Sequence, residues 1–139
     1  MGVTFTHGCW DGRCTDFNDW RRAIASAASY PPLDEMDGFN NKPMQMAMLQ
    51  NPDITLGELA DITPSSGNSW EPYRGNPLTL LLTASDSAGR FEPEECGAIA
   101  LALSELSMDG QPAWIQQTTK QFITGFEKAH EMEEEVTYS

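Results

Sequence analysis

The chain has 139 residues, of which 40% are hydrophobic, and its 21 acidic and 8 basic side chains give a formal net charge of −13. A chain of this length can fold around one core, so we expect a single domain over residues 1–139. The negative charge disfavours direct binding to nucleic acid or to a membrane and favours a protein partner with a basic surface. Three cysteines are too few for a disulfide framework, and the sequence shows neither a signal peptide nor an apolar run of membrane length. We therefore expect a cytoplasmic protein.

The first predicted elements are a short strand at 3–6 and a helix at 15–29. Apolar side chains recur at helical spacing within the second segment, and Thr15 or Asp16 can cap its first turn. The helix cannot continue through Pro31 and its neighbouring proline. The sequence then predicts irregular chain.

In the middle of the chain, the sequence predicts two short helices, at 44–50 and 55–62, followed by a loop at 63–77. The loop is rich in Ser, Gly, Asn and Pro, which favour turns. Trp70 and Tyr73 are its expected anchors. We expect this loop either to be mobile or to contact a partner.

Three further helices are predicted in the second half. Asn76 caps the first of them, Pro77 occupies its first position, and the apolar run 80–82 is expected to be buried on most sides. The next helix covers 93–107, with Pro and two Glu residues in its first turn. The last covers 112–135. Its apolar stripe is expected to contain Ile115, Thr119, Phe122, Phe126 and Ala129.

These elements predict a mainly α fold, a single helical domain of about five helices with long irregular loops and a short N-terminal strand. The acidic run that follows the last helix opposes the helix dipole. We therefore expect residues 132–139 to form a loose acidic C-terminal tail.

The segments CWDGRCTDFNDWRRAIA, LDEMDGF, NPLTLLLTASDSAGRFEPEEC and FITGFEKAHEMEEEV are familiar in combination. They resemble the patterns CWxGxYSxFNx[FW]Rxx[IL]A, LDEMEGF, DPLxxLLNHSDCDGELTPEEC and a closing helix with a Gly-[FM]-x-x-A core. These patterns belong to a family of small, uncharacterised single-domain proteins of bacteria and phages. The resemblance covers both ends of the chain and leaves 42–69 as a family-specific insertion. It implies a phage or bacterial setting, and it implies no activity.

The stretch ASDSAGRFEPEE, residues 84–95, has part of the outline of a calcium-binding loop. It keeps the residues of loop positions 3, 6 and 12, which are Asp86, Gly89 and Glu95. Alanine replaces the side-chain oxygens at positions 1 and 5. We interpret the stretch as a structural turn into the next helix, with weak calcium binding as the alternative.

The stretch HGCWDGRC, residues 7–14, concentrates reactive residue types. A weak metal or thiol site here would use His7, Cys9, Asp11 and Cys14. A zinc site needs about four ligands, so a distant Cys96 or His130 would have to contribute. A cysteine nucleophile would need a histidine as base. We favour a third interpretation, in which buried cysteines and Trp10 form a corner of the fold.

The leading functional hypothesis is a small acidic binding protein that occupies a macromolecular partner. In the phage setting it would be an inhibitor of a host defence or nucleic-acid-binding protein. Its candidate contact residues are Asp34, Glu35, Asp37, Trp70 and Tyr73. The alternatives are a small-molecule or metal-binding protein and a cysteine-dependent enzyme. An enzyme is disfavoured, and we assign neither catalytic residues nor a cofactor.

Overall fold

The structure, a computed structural model, describes residues 2–36, 53 and 70–139. Within these ranges the protein is mainly helical, as predicted, with four α-helices where about five were expected for the whole chain. The helices are α1 (Cys14–Ala27), α2 (Pro77–Thr83), α3 (Pro93–Ser104) and α4 (Ala113–Glu131). Single 3₁₀ turns lie at Thr6–Gly8, Leu33–Glu35 and Glu71–Tyr73. The predicted helices at 44–50 and 55–62 lie outside the described residues.

The starts of the helices follow local capping chemistry in two cases. At α2, the Asn76 side chain accepts a hydrogen bond of 3.0 Å from the Leu78 N–H, as predicted. At α3, the Glu92 N–H donates to Oε1 of Glu95 at 2.8 Å, which satisfies a donor at the helix start. The predicted cap of α1 by Thr15 or Asp16 is wrong. That helix begins at Cys14, directly after extended backbone, and has no side-chain cap.

Two short antiparallel ribbons accompany the helices. Strand β1 (Gly2–Thr4) pairs with β2 (Asp11–Arg13), and β3 (Gly89–Phe91) pairs with β4 (Val136–Tyr138). The predicted N-terminal strand is therefore present, shifted by a residue and paired. Reciprocal backbone hydrogen bonds between Thr4 and Ser139, of 3.0 and 3.2 Å, link the two ribbons.

The prediction of a loose tail at 132–139 is wrong for its second half, where Val136–Tyr138 forms strand β4. Helix α4 ends at Glu131, and β4 follows with Val136 fully buried and Tyr138 nearly so. These two side chains are spaced two residues apart and share one face of the strand, which covers the core. Residues 132–135, which precede β4, remain exposed.

The core is aromatic and centres on α4. The Trp20 ring of α1 stacks on Phe122 with ring centroids 4.2 Å apart, and its Nε1–H donates to Thr119 at 3.0 Å. All members of the predicted α4 stripe are buried, so that prediction is confirmed. None of the described helices is long and apolar enough to cross a membrane.

Candidate functional site

The N-terminal corner, residues 7–14, is closed against helix α4. Cys9 is fully buried, and a Cβ built on Gly125 of α4 would lie 2.5 Å from its Sγ atom. Burial raises the pKa of Cys9 to about 12, with nearby Cys96 adding to the effect. The thiol is therefore protonated at neutral pH, whereas a nucleophile or a zinc ligand needs the thiolate.

The other reactive residues of the corner make separate local contacts. Nε2 of His7 lies 3.2 Å from Oε1 of Glu134, and Asp11 accepts a hydrogen bond of 3.0 Å from the Thr4 hydroxyl. Cys14 starts α1 and is half-buried. Across the ranges that the structure describes, no group of three or more His, Cys, Asp or Glu side chains is arranged to hold a metal ion.

The calcium-like stretch 84–95 has its three candidate residues engaged elsewhere. Asp86 accepts a hydrogen bond of 3.0 Å from the Asn18 amide, and Glu95 accepts one from a backbone N–H at the start of its own helix. Gly89 lies in β3, where a Cβ would meet the Tyr138 hydroxyl at 2.6 Å. These contacts support the interpretation of the stretch as a structural turn.

Arg21 supplies a positive charge beside this turn, which the sequence analysis missed. The side chain is 3% exposed, and its Nη1 donates to the carbonyl of Ala84 at 2.6 Å, with Leu81 and Leu82 carbonyls at 3.4 Å. Burial lowers the pKa of Arg21 to about 10, and Asp86 counteracts that shift, so the guanidinium is protonated at neutral pH. It joins α1 to the carboxyl end of α2, where a cation is favourable.

The predicted acidic cluster at 34–37 already has an arginine from its own chain. Arg22 donates from Nε and Nη2 to the Asp34 carboxylate at 3.0 to 3.3 Å and from Nη1 to Asp19 at 2.8 Å. Glu35 is exposed, and Asp37 lies outside the described residues. Asp34, a candidate contact residue for a partner, thus already accepts a paired, fork-like contact from an arginine of its own chain.

The aromatic residues of the 70–76 segment pack on Tyr30, which follows α1 and contacts α2. Tyr73 stacks on Tyr30 with centroids 4.3 Å apart, and the Tyr30 hydroxyl lies 2.9 Å from that of Thr79. Trp70 is half-buried beside the same ring, at a centroid distance of 6.4 Å. The expectation that Trp70 and Tyr73 anchor this segment is confirmed.

An open groove of about 670 Å³ lies between this segment, α2 and α3, and we call it the α2–α3 groove. Its lining includes the apolar side chains of Trp70, Pro77, Leu80 and Ala98. Leu81 and Leu82 are buried, as predicted for the 80–82 run, whereas Leu80 is 41% exposed. A helical turn directs Leu81 and Leu82 inward and leaves Leu80 outside.

Carboxylates gather where the groove meets the end of the α3–α4 pair. These two helices pack together, and Nδ1 of His130 near the end of α4 lies 3.0 Å from the carbonyl of Pro93 at the start of α3. The first turn of α3 and the end of α4 are thereby adjacent. Their glutamates form what we call the acidic end: Glu92, Glu94, Glu95, Glu131, Glu133, Glu134 and Glu135.

The acidic end and the groove are continuous. Glu94 and Glu95 belong to the acidic end and also line the groove. Arg90 lies among these carboxylates, 3.8 Å from Glu92 and 3.7 Å from Glu135. Leu80, Glu94 and the groove itself were not predicted from the sequence as parts of a site. The sequence does contain a signal for the exposure of Leu80. Leu78, Leu81 and Leu82 are spaced at i, i+3 and i+4 and form the inward face of α2, which leaves Leu80 facing outward.

A scan against protein-family models, a search of curated proteins and a search of solved structures each find no match for this chain.

Proposed function

We propose that this protein is a small acidic binding protein that acts by occupying a macromolecular partner with a basic surface. The observation that carries the proposal is the continuity between the acidic end and the apolar α2–α3 groove. Clustered carboxylates attract a basic partner from a distance, and the groove gives the bound complex apolar contact. Neither feature requires bound metal or a reactive thiol.

The resemblance of the sequence motifs extends the proposal to a setting. A phage-encoded protein of this kind would inhibit a host defence protein or a nucleic-acid-binding protein by covering its basic surface. The net charge of −13 repels nucleic acid directly, so the target is the protein that binds the nucleic acid. Electrostatic attraction predicts fast association and strong dependence on salt.

The experiment begins with capture from a bacterial lysate at about 0.05 M and about 0.5 M NaCl, where the screening lengths differ by about threefold. Each captured protein is then purified and its Kd is measured by titration. We expect a basic partner whose Kd weakens by at least about tenfold between these salt concentrations. A Kd that does not respond to salt would overturn the proposal.

A matched pair of variants localises the contact. Glu131→Gln with Glu133→Gln removes two exposed charges from the acidic end, and Glu105→Gln with Asp109→Asn removes two exposed charges from outside it. We expect the first pair to weaken binding of the purified partner by about three- to tenfold and the second to change it by less than about twofold. Equal effects would show that only total charge matters and would contradict the assignment to the acidic end.

A further inference from the structure

The α2–α3 groove is complementary to a surface that is apolar in the middle and basic at one side. Its apolar lining consists of Trp70, Pro77, Leu80 and Ala98. Glu94 and Glu95 lie on its α3 side, toward the acidic end, whereas Glu71 of the connecting segment is already paired with Arg74 at 2.9 Å. An anchor residue of the partner would remove Leu80 from water, and a neighbouring lysine or arginine would meet Glu94.

The walls of the groove favour a helix over an extended peptide. Much of the lining lies within α2 and α3, where backbone groups are paired along each helix. In the connecting segment the Arg74 N–H donates to the Glu71 carbonyl at 3.2 Å, and the Asn76 N–H donates to that of Tyr73 at 3.1 Å. An extended peptide gains much of its affinity from backbone hydrogen bonds to an open strand edge. A helix satisfies its own backbone and needs only side-chain contacts.

The apolar surface also continues along α3 away from the acidic end. Glu94, Ala98 and Leu101 are spaced at i, i+4 and i+7 and share one face of the helix. Leu101 is 62% exposed. The three positions span about 10 Å along the axis, about two helical turns, which matches the spacing of successive apolar anchors on a partner helix.

We infer that the α2–α3 groove binds one amphipathic helix of the partner, with its apolar side chains against Leu80 and Ala98 and its basic residues toward Glu94 and the acidic end. The inference rests on the proposed function, because it names the element of the basic partner that this protein binds. It assigns no role to the N-terminal corner.

The test uses two fluorescein-labelled peptides of about 18 leucine and lysine residues. In the amphipathic peptide the leucines follow i, i+3, i+4, i+7 spacing, and in the dispersed peptide the same residues are arranged so that no face is apolar. Fluorescence anisotropy gives the Kd of each for the full chain. We expect the amphipathic peptide to bind at least about tenfold more tightly than the dispersed one.

Variants then locate the bound peptide. Leu80→Ala is expected to weaken binding of the amphipathic peptide by about tenfold and Glu94→Gln by about threefold. The matched control is Trp114→Ala, because Trp114 is 44% exposed, close to the 41% of Leu80, and does not line the groove. The Kd of Trp114→Ala for the amphipathic peptide should stay within about twofold of the wild-type value. Urea unfolding of each variant checks that the fold is kept.

The outcomes separate this inference from the proposed function. If the wild type binds both peptides equally well, or if Leu80→Ala binds the amphipathic peptide like the wild type, the inference is overturned and the acidic binding function stands. If neither peptide binds, the inference is overturned, and the proposed function is decided by the salt dependence of the captured partner. If sedimentation shows that Leu80→Ala changes the mass of the free protein, the groove is occupied by a second copy of the chain, and the inference is overturned.

Discussion

The N-terminal corner, residues 7–14, and the α2–α3 groove differ in both residue chemistry and exposure. The corner contains Cys, His, Trp and Asp, but its central thiol is buried against Gly125 and protonated. The α2–α3 groove is lined mainly by apolar side chains, with Glu94 and Glu95 on its α3 side, and it is open and adjoins the acidic end. Reactive residue types therefore indicate function only where the fold leaves them accessible, and here the accessible surface is suited to binding.

The strongest challenge to this comparison is Gly125→Ala, which tests whether the corner is a packing element. The new Cβ would meet Sγ, Cα and N of Cys9 at 2.5, 2.7 and 2.9 Å, and two of these are backbone atoms. We expect the free energy of unfolding, measured in urea, to fall by about 3 kcal/mol. The control is Gly2→Ala, whose Cβ would lie at an ordinary van der Waals distance of 3.5 Å from the Gly12 carbonyl oxygen. An unchanged stability of Gly125→Ala would contradict the close contact between the corner and α4.

A second test concerns Arg21, the buried cation beside the turn at 84–95. Arg21→Met leaves the carbonyls at the end of α2 without their cationic donor, and we expect a loss of about 2 kcal/mol in urea unfolding. Arg22→Met removes the neighbouring, half-exposed arginine and should cost about 0.5 kcal/mol.

Addition of about 1 mM CaCl₂ should leave the unfolding midpoint of the wild type unchanged. A calcium-induced rise would favour the metal-binding alternative.

The third test uses the protonation of Cys9. Its pKa is raised to about 12 in the folded protein, so the folded state holds this proton more tightly than the unfolded state. The stabilisation is complete below about pH 9 and is lost as pH rises toward about 12, with a slope of at most about 1.4 kcal/mol per pH unit. We expect urea stability of the wild type to fall more steeply between about pH 9 and pH 10 than that of Cys9→Ala. Parallel pH profiles would indicate an accessible thiol and would reopen the catalytic hypothesis.

The smallest effect is expected in the groove itself. Leu80→Ala and Trp114→Ala each remove a side chain that is partly in water, so each should change the free energy of unfolding by less than about 0.5 kcal/mol. Thermal or urea unfolding of the two variants side by side provides the measurement. A loss of several kcal/mol for Leu80→Ala alone would place this side chain in the core and remove the contrast with the corner.

The parts of the fold that were predicted correctly carry strong local signals. Helix α4 has a complete apolar stripe over many turns, and the start of α2 has Asn and Pro in their preferred places. Strand β4 has no comparable signal, because Val136 and Tyr138 give only two apolar positions. It forms because β3, far away in the sequence, presents a partner edge.

The site was harder to predict because its residues are ordinary and its shape depends on tertiary contacts. Arg21 and Arg22 are adjacent in the sequence, yet a rotation of about 100° along α1 places one in the core and the other at the surface. The acidic end likewise forms from two segments that only the packing of α3 on α4 brings together. Composition predicted the negative charge and left its location open.

The reciprocal hydrogen bonds between Thr4 and Ser139 have a practical consequence for protein engineering. Because the backbone at Thr4 lies beside that at Ser139, a short flexible linker can join these two positions, and the chain can be reopened at the exposed turn around Gly110, where φ is 82°. Such a circular permutant would keep both ribbons and free the region near Ser139 from any fused tag. Immobilisation through the new ends would then leave the carboxylates of α4 unobstructed.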